Sequence, residues 1–71
     1  MSTTFMEQLT SLNKEIAATT TSINEEKDAY LKAVEEEKSD KYLQALKESI
    51  DALRTKETNL IAERKELRLV L

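Results

Sequence analysis

The sequence predicts an all-α fold: an antiparallel, coiled-coil-like helical hairpin that self-associates into a four-helix bundle. Three observations predict it. The chain of 71 residues has neither Gly nor Pro, so it lacks the residues that tight hairpin turns between strands depend on. Leucine and isoleucine recur every seven residues in both halves, the mark of a helix seam seeking another helix. The two repeats are out of phase, and the slip falls in a segment without large apolar side chains.

A helix starts at Thr4-Phe5-Met6-Glu7, which has the form of a capping box: Thr4 accepts from the N–H of Glu7, and Glu7 reaches back to Thr4. The stripe that follows is Phe5, Leu9, Leu12, Ile16, Ile23 and Tyr30. With Leu9 at position a, Ile16, Ile23 and Tyr30 are also a, while Leu12, Thr19, Glu26 and Ala33 are d. Thr19-Thr20-Thr21-Ser22 is the weakest helical stretch, because β-branched and hydroxyl residues cost a few tenths of a kcal/mol each. Ser22-Ile23-Asn24-Glu25 is a second capping box, at which a new helix would start if the first stopped near Thr19. A three-helix bundle is therefore one alternative; one long parallel coiled coil is the other.

The second half carries Leu43 and Ile50 at a and Leu46, Leu53, Leu60 and Leu67 at d. Glu57 and Arg64 take the remaining a positions. Counting on from Tyr30 would put a at Gln44, not Leu43, so one residue is missing from the repeat. Slips of three or four residues are absorbed by local rewinding of a coiled coil; this one is harder to absorb. It lies within Glu35–Asp40, where Ser39 or Asp40 can N-cap a new helix. The chain thus reads as one domain, 1–71, with helices over about 4–36 and 41–70 and a turn over about 37–40.

Folding back at Lys38 pairs a with d in layers whose residue numbers add to 76: Leu9 with Leu67, Ile16 with Leu60, Ile23 with Leu53, Tyr30 with Leu46, Phe5 with Leu71 and Ala33 with Leu43. The weak layers are Leu12–Arg64, Thr19–Glu57 and Glu26–Ile50. A lone hairpin buries one narrow seam, too little for a stable domain of this size. Met6, Leu31, Val34, Tyr42, Ile61, Leu69 and Val70 lie off the seam and ask for a second contact face, as does the apolar end Leu67–Leu71, which a partner or a longer chain would cover.

Composition narrows function. Without Cys or His there is no zinc site of the usual kind, no thiol nucleophile and no disulfide frame, and without Gly no phosphate-cradling loop. No base of the His kind stands beside the hydroxyls. The expectation is a non-enzymatic protein with no cofactor, metal or small-molecule substrate. Eleven basic and fourteen acidic residues give a net charge of −3, which disfavours nucleic acid. Residues 1–46 hold five bases and nine acids; residues 47–71 hold six and five. Arg54, Lys56, Arg64, Lys65 and Arg68 suggest a basic strip for RNA or acidic lipid, but the interleaved Asp51, Glu57, Glu63 and Glu66 cancel most of it along the sequence. The start has no basic or apolar leader-like region, and no apolar run is long enough to span a bilayer; together with the lack of Cys this predicts an intracellular protein not secreted by a signal peptide.

The expected function is a protein–protein interaction and oligomerisation module, a scaffold or adaptor hairpin whose partner is itself or another helical protein. The alternative is a small helical inhibitor or regulator that docks one amphipathic face on a partner. The interaction seam is Leu9, Leu12, Ile16, Ile23, Tyr30, Leu43, Leu46, Ile50, Leu53, Leu60 and Leu67. Glu57 and Arg64 set register and specificity, facing Thr19 and Leu12 with room to reach solvent. The segments Asp28–Val34 and Asp40–Leu46 share Asp-x-Tyr-Leu-x-Ala, which raises a contact patch of Tyr30, Leu31 and Tyr42, since tyrosine favours interface centres.

Overall fold

The computed structural model describes residues 2–69 and shows two helices, α1 (Ser2–Glu35) and α2 (Asp40–Leu69), packed side by side as an antiparallel hairpin. The lengths, 34 and 30 residues, correspond to about 51 and 45 Å of helix. They account for a rod of 54 × 14 × 11 Å. Its radius of gyration, 16.2 Å, compares with about 11 Å for a compact chain of this length.

Helix α1 does not begin at the Thr4 capping box. It is already helical at Ser2, and Thr4 is an exposed residue of the first turns. Nor does it break at the threonine run, which removes the three-helix alternative. Thr19 Oγ1 donates to the Glu15 carbonyl at 2.7 Å and Thr21 Oγ1 to that of Ala17 at 3.0 Å. Both hydroxyls are satisfied one turn back, so they do not compete with the helix ladder. This is why Thr19 can sit in the seam at 4% exposure without an orphaned polar atom.

The turn is a Schellman motif. Lys38 N–H donates to the Ala33 carbonyl at 3.0 Å and Glu37 N–H to that of Val34 at 3.1 Å, the paired bonds that close a helix C-terminus. The motif needs a left-handed residue, and with no glycine in the chain Glu37 takes that role at φ 56°. Helix α2 opens at once: Ser39 is its N-cap, its Oγ accepting from Tyr42 N–H at 3.2 Å and its carbonyl from Leu43 N–H at 3.0 Å. Asp40 places a carboxylate on the positive end of the helix.

Every a and d position from Phe5 to Ala33 and from Leu43 to Leu67 is buried or half-buried. The deepest apolar side chains are Ile23, Ala33, Ile50 and Leu60. No side chain among the described residues falls below 2% exposure. A two-helix seam can only be this shallow, because each seam residue is covered from one side. The Phe5–Leu71 layer and Val70 lie outside the described residues. No helix among the described residues is long and apolar enough to cross a membrane.

Candidate interaction surface

The two polar a residues of α2 bond across the seam, but not to the residues directly opposite. Glu57 accepts a short hydrogen bond from Thr20 Oγ1, and Arg64 Nη1 donates to Asn13 Oδ1 at 2.9 Å. The partners are the residues just after Thr19 and Leu12, on the edge of the seam, where a long polar side chain can bond without entering the apolar layer. Thr20 and Asn13 are seven residues apart, as are Glu57 and Arg64, so the same polar clasp repeats one heptad on. Farther toward the turn, Lys47 Nζ stands 5.8 Å from the centre of the Tyr30 ring. In all three pairs the residue numbers add to 77, one from the value of the apolar layers. That places all three on the same edge of the seam.

This edge forms one flank of the hairpin. Near the turn it opens into a groove of about 360 Å³, floored by Tyr30, Leu31 and Ile50 and rimmed by Lys27, Lys47 and Arg54, with Asp51 beside them. Seven-residue steps along a seam helix keep to one face. Arg54 is therefore followed on this flank by Ile61 and Arg68, Asp51 by Thr58 and Lys65, and Lys27 is preceded by Thr20, Asn13 and Met6. Five bases thus share the flank with two acids, Asp51 and, seven residues before Lys47 at the turn, Asp40. Four of the chain's exposed large apolar residues, Met6, Leu31, Val34 and Ile61, lie there too.

The opposite flank has the other sign. One groove there is lined by Gln8, Ser11, Leu12, Glu63, Glu66 and Leu67, a second by Glu15, Ala18, Thr19, Ser22, Leu53 and Lys56. Glu25 follows Ala18 by seven residues and extends this side toward the turn, and Lys32 follows Glu25 by seven more. All four carboxylates, Glu15, Glu25, Glu63 and Glu66, belong to exposed residues. Between them lie small residues, Ala18 and Ser22 on α1 and Ser49 and Ala52 on α2, while Tyr42, seven residues before Ser49, stands exposed on this side near the turn.

The structure thus separates charges that the linear sequence interleaves. Arg54, Lys65 and Arg68 lie on one flank, Lys56 on the other with Glu63 and Glu66, and Arg64 and Glu57 are half-buried at the seam. The five bases read as one strip do not form one. Lys27 and Lys47, which lie outside that strip, join Arg54; only the register of the hairpin brings them together.

The tyrosines part company. Tyr30 is half-buried in the basic groove with Leu31, whereas Tyr42 does not line that groove, is 51% exposed, and has Lys38 Nζ 5.9 Å from its ring centre. The repeated segment explains the difference: its first copy puts Tyr in the seam and Leu outside, its second puts Leu43 in the seam and Tyr outside. Glu26 is half-buried, and the acidic run Glu35-Glu36-Glu37 is exposed at the tip. Among the described residues no three acidic side chains converge as a metal site.

These features define a class by architecture alone: an all-α helical hairpin with two flanks of opposite charge. Comparison with protein-family models, with curated proteins and with solved structures returned no match.

Proposed function

We propose that the chain is a non-enzymatic interaction and oligomerisation module, a scaffold hairpin whose uncovered apolar side chains are sheltered by a second helical surface. Most simply, two copies make a four-helix bundle. The observation that carries this reading is surface area. The chain exposes 5587 Å², against about 4,500 Å² for a compact monomer of its mass. The excess, about 1,100 Å², is more than the roughly 800 Å² that one partner contributes to a standard interface. Large apolar side chains lie on this surface: Leu31 is 61% exposed and Leu69 75%.

A second reading rests on the groove over Tyr30, Leu31 and Ile50. An apolar floor with a basic rim suits an acidic amphipathic helix of another protein, which would make the chain a regulator docking through one face. Thermal unfolding at several chain concentrations tests the first reading. Self-association raises the midpoint with concentration, because the folded oligomer is favoured by mass action. A midpoint independent of concentration over a hundredfold range leaves only the second.

A further inference from the structure

The strongest unassigned feature is the opposition of the two flanks, and it deepens the self-association just proposed by saying which surfaces meet. We infer that the basic, apolar-studded flank of one hairpin packs on the acidic, small-residue flank of another. The occupant is a second copy of this chain because the chain carries both halves of a complementary pair. Lys27, Lys47, Arg54, Lys65 and Arg68 outnumber Asp40 and Asp51 on one side, and Glu15, Glu25, Glu63 and Glu66 outnumber Lys32 and Lys56 on the other.

Position along the rod matches bases to acids in either orientation of the second copy. At 1.5 Å per residue from the turn, Lys65 and Arg68 lie about 40–45 Å out, and Glu63 and Glu66 about 38–42 Å out. Lys27 and Glu25 lie at about 17 and 20 Å. A same-direction stack therefore sets these bases level with these acids. Turned end for end, the stack sets Glu63 level with Lys47 and Glu15 with Lys27, and brings Lys65 and Arg68 over Lys32. The same-direction stack also has like-signed meetings, Lys47 with Lys32 near the turn and Arg54 with Lys56 and Asp51 with Glu25 in its middle, so its attraction is concentrated at the open end, where Lys65 and Arg68 meet Glu63 and Glu66. Side-chain size agrees with charge along most of the rod: Val34 and Ile61 are exposed on the basic flank and Ala18, Ser22, Ser49 and Ala52 are small on the acidic one, where Tyr42 near the turn is the large exposed residue.

Pairing basic flank to basic flank would give a closed two-fold dimer but would bring five cations against five. Pairing opposite flanks leaves one flank open on each end copy, so the assembly adds further copies unless its rotation closes a ring. Its growth depends on salt, because exposed charges are screened within about 8–10 Å at physiological ionic strength.

The test uses two charge-reversed chains. The first carries Lys27→Glu, Lys65→Glu and Arg68→Glu; the second carries Glu25→Lys, Glu63→Lys and Glu66→Lys. All six positions are exposed, and circular dichroism checks that the helices persist. In sedimentation equilibrium at about 0.05 M salt, the native chain is expected to exceed two copies with rising concentration and to shrink at about 0.5 M. Each variant alone falls to a single chain of 8.1 kDa, and an equal mixture of the two regains the native mass. If the second variant alone keeps the native mass, the acidic flank takes no part and the inference is overturned, while self-association itself stands. A native chain that is monomeric throughout overturns both. If that monomer co-sediments with phosphatidylserine vesicles, the basic flank belongs to a membrane surface.

Discussion

Arg64 and Asn13, fifty-one residues apart in sequence, are joined across the hairpin by a 2.9 Å hydrogen bond from guanidinium to side-chain amide. One heptad nearer the turn, Thr20 and Glu57 repeat the arrangement. The pair explains how a charged residue sits at a seam position: its stem lies along the seam and its head leaves by the edge, where a polar neighbour receives it.

A double-mutant cycle over Arg64→Ala and Asn13→Ala should give a coupling energy of about 0.3–1 kcal/mol in urea unfolding, the range for a partly exposed charged bond. Zero coupling, with each substitution acting independently, would mean the bond is not held in solution.

Replacing Glu57 and Arg64 together by Leu completes the apolar a column of α2. The expected result is a higher unfolding midpoint together with a broader spread of assembly sizes, because polar seam residues trade stability for a fixed register. A stabilised variant with the native mass distribution would remove the register role given to these two residues.

Glu37→Gly should stabilise the hairpin by about 0.5–1 kcal/mol, since a left-handed residue with a Cβ costs roughly 1–2 kcal/mol and glycine returns part of that in the unfolded chain. Chemical denaturation measures it. A destabilised variant would contradict the Schellman geometry at this residue.

Leu60→Ala should cost about 2–4 kcal/mol, because Leu60 is only 7% exposed and its removal leaves a void in the seam. Leu31→Ala, at 61% exposure, should change the stability of the single hairpin by less than about 0.5 kcal/mol and show its effect in association. Equal losses at the two sites in dilute, monomeric protein would contradict the assigned seam.

Some of this was legible in the sequence and some was not. The hairpin was, because a 4-3 apolar spacing has one low-energy use and its phase break at Lys38 coincides with the turn. The cap was legible only as a choice between Ser39 and Asp40, both with side-chain oxygens that can accept from the first turn, and Ser39 is the one that does. The start of α1 was not: Thr4 and Glu7 have capping chemistry, but the ladder continues two residues farther, and hydroxyl-rich segments offer several starts of similar energy. Glu37 gives no sign of a left-handed turn, since glycine is the usual signal. Asn13 and Thr20 escaped because edge residues follow no apolar period; the signal that finds them is the seven-residue spacing of Glu57 and Arg64 carried one residue past the opposing layer. The charge flanks were hidden by the same logic. Bases and acids alternate along α2, and only the helical phase sorts them to opposite sides.

The most direct test of the central claim, that this thin hairpin covers its spare apolar surface with another copy, is the absolute molar mass in solution. Sedimentation equilibrium of the native chain at micromolar to millimolar concentration should return a mass of at least twice 8.1 kDa, with far-ultraviolet dichroism showing a helical protein. A helical species of 8.1 kDa at every concentration would contradict it.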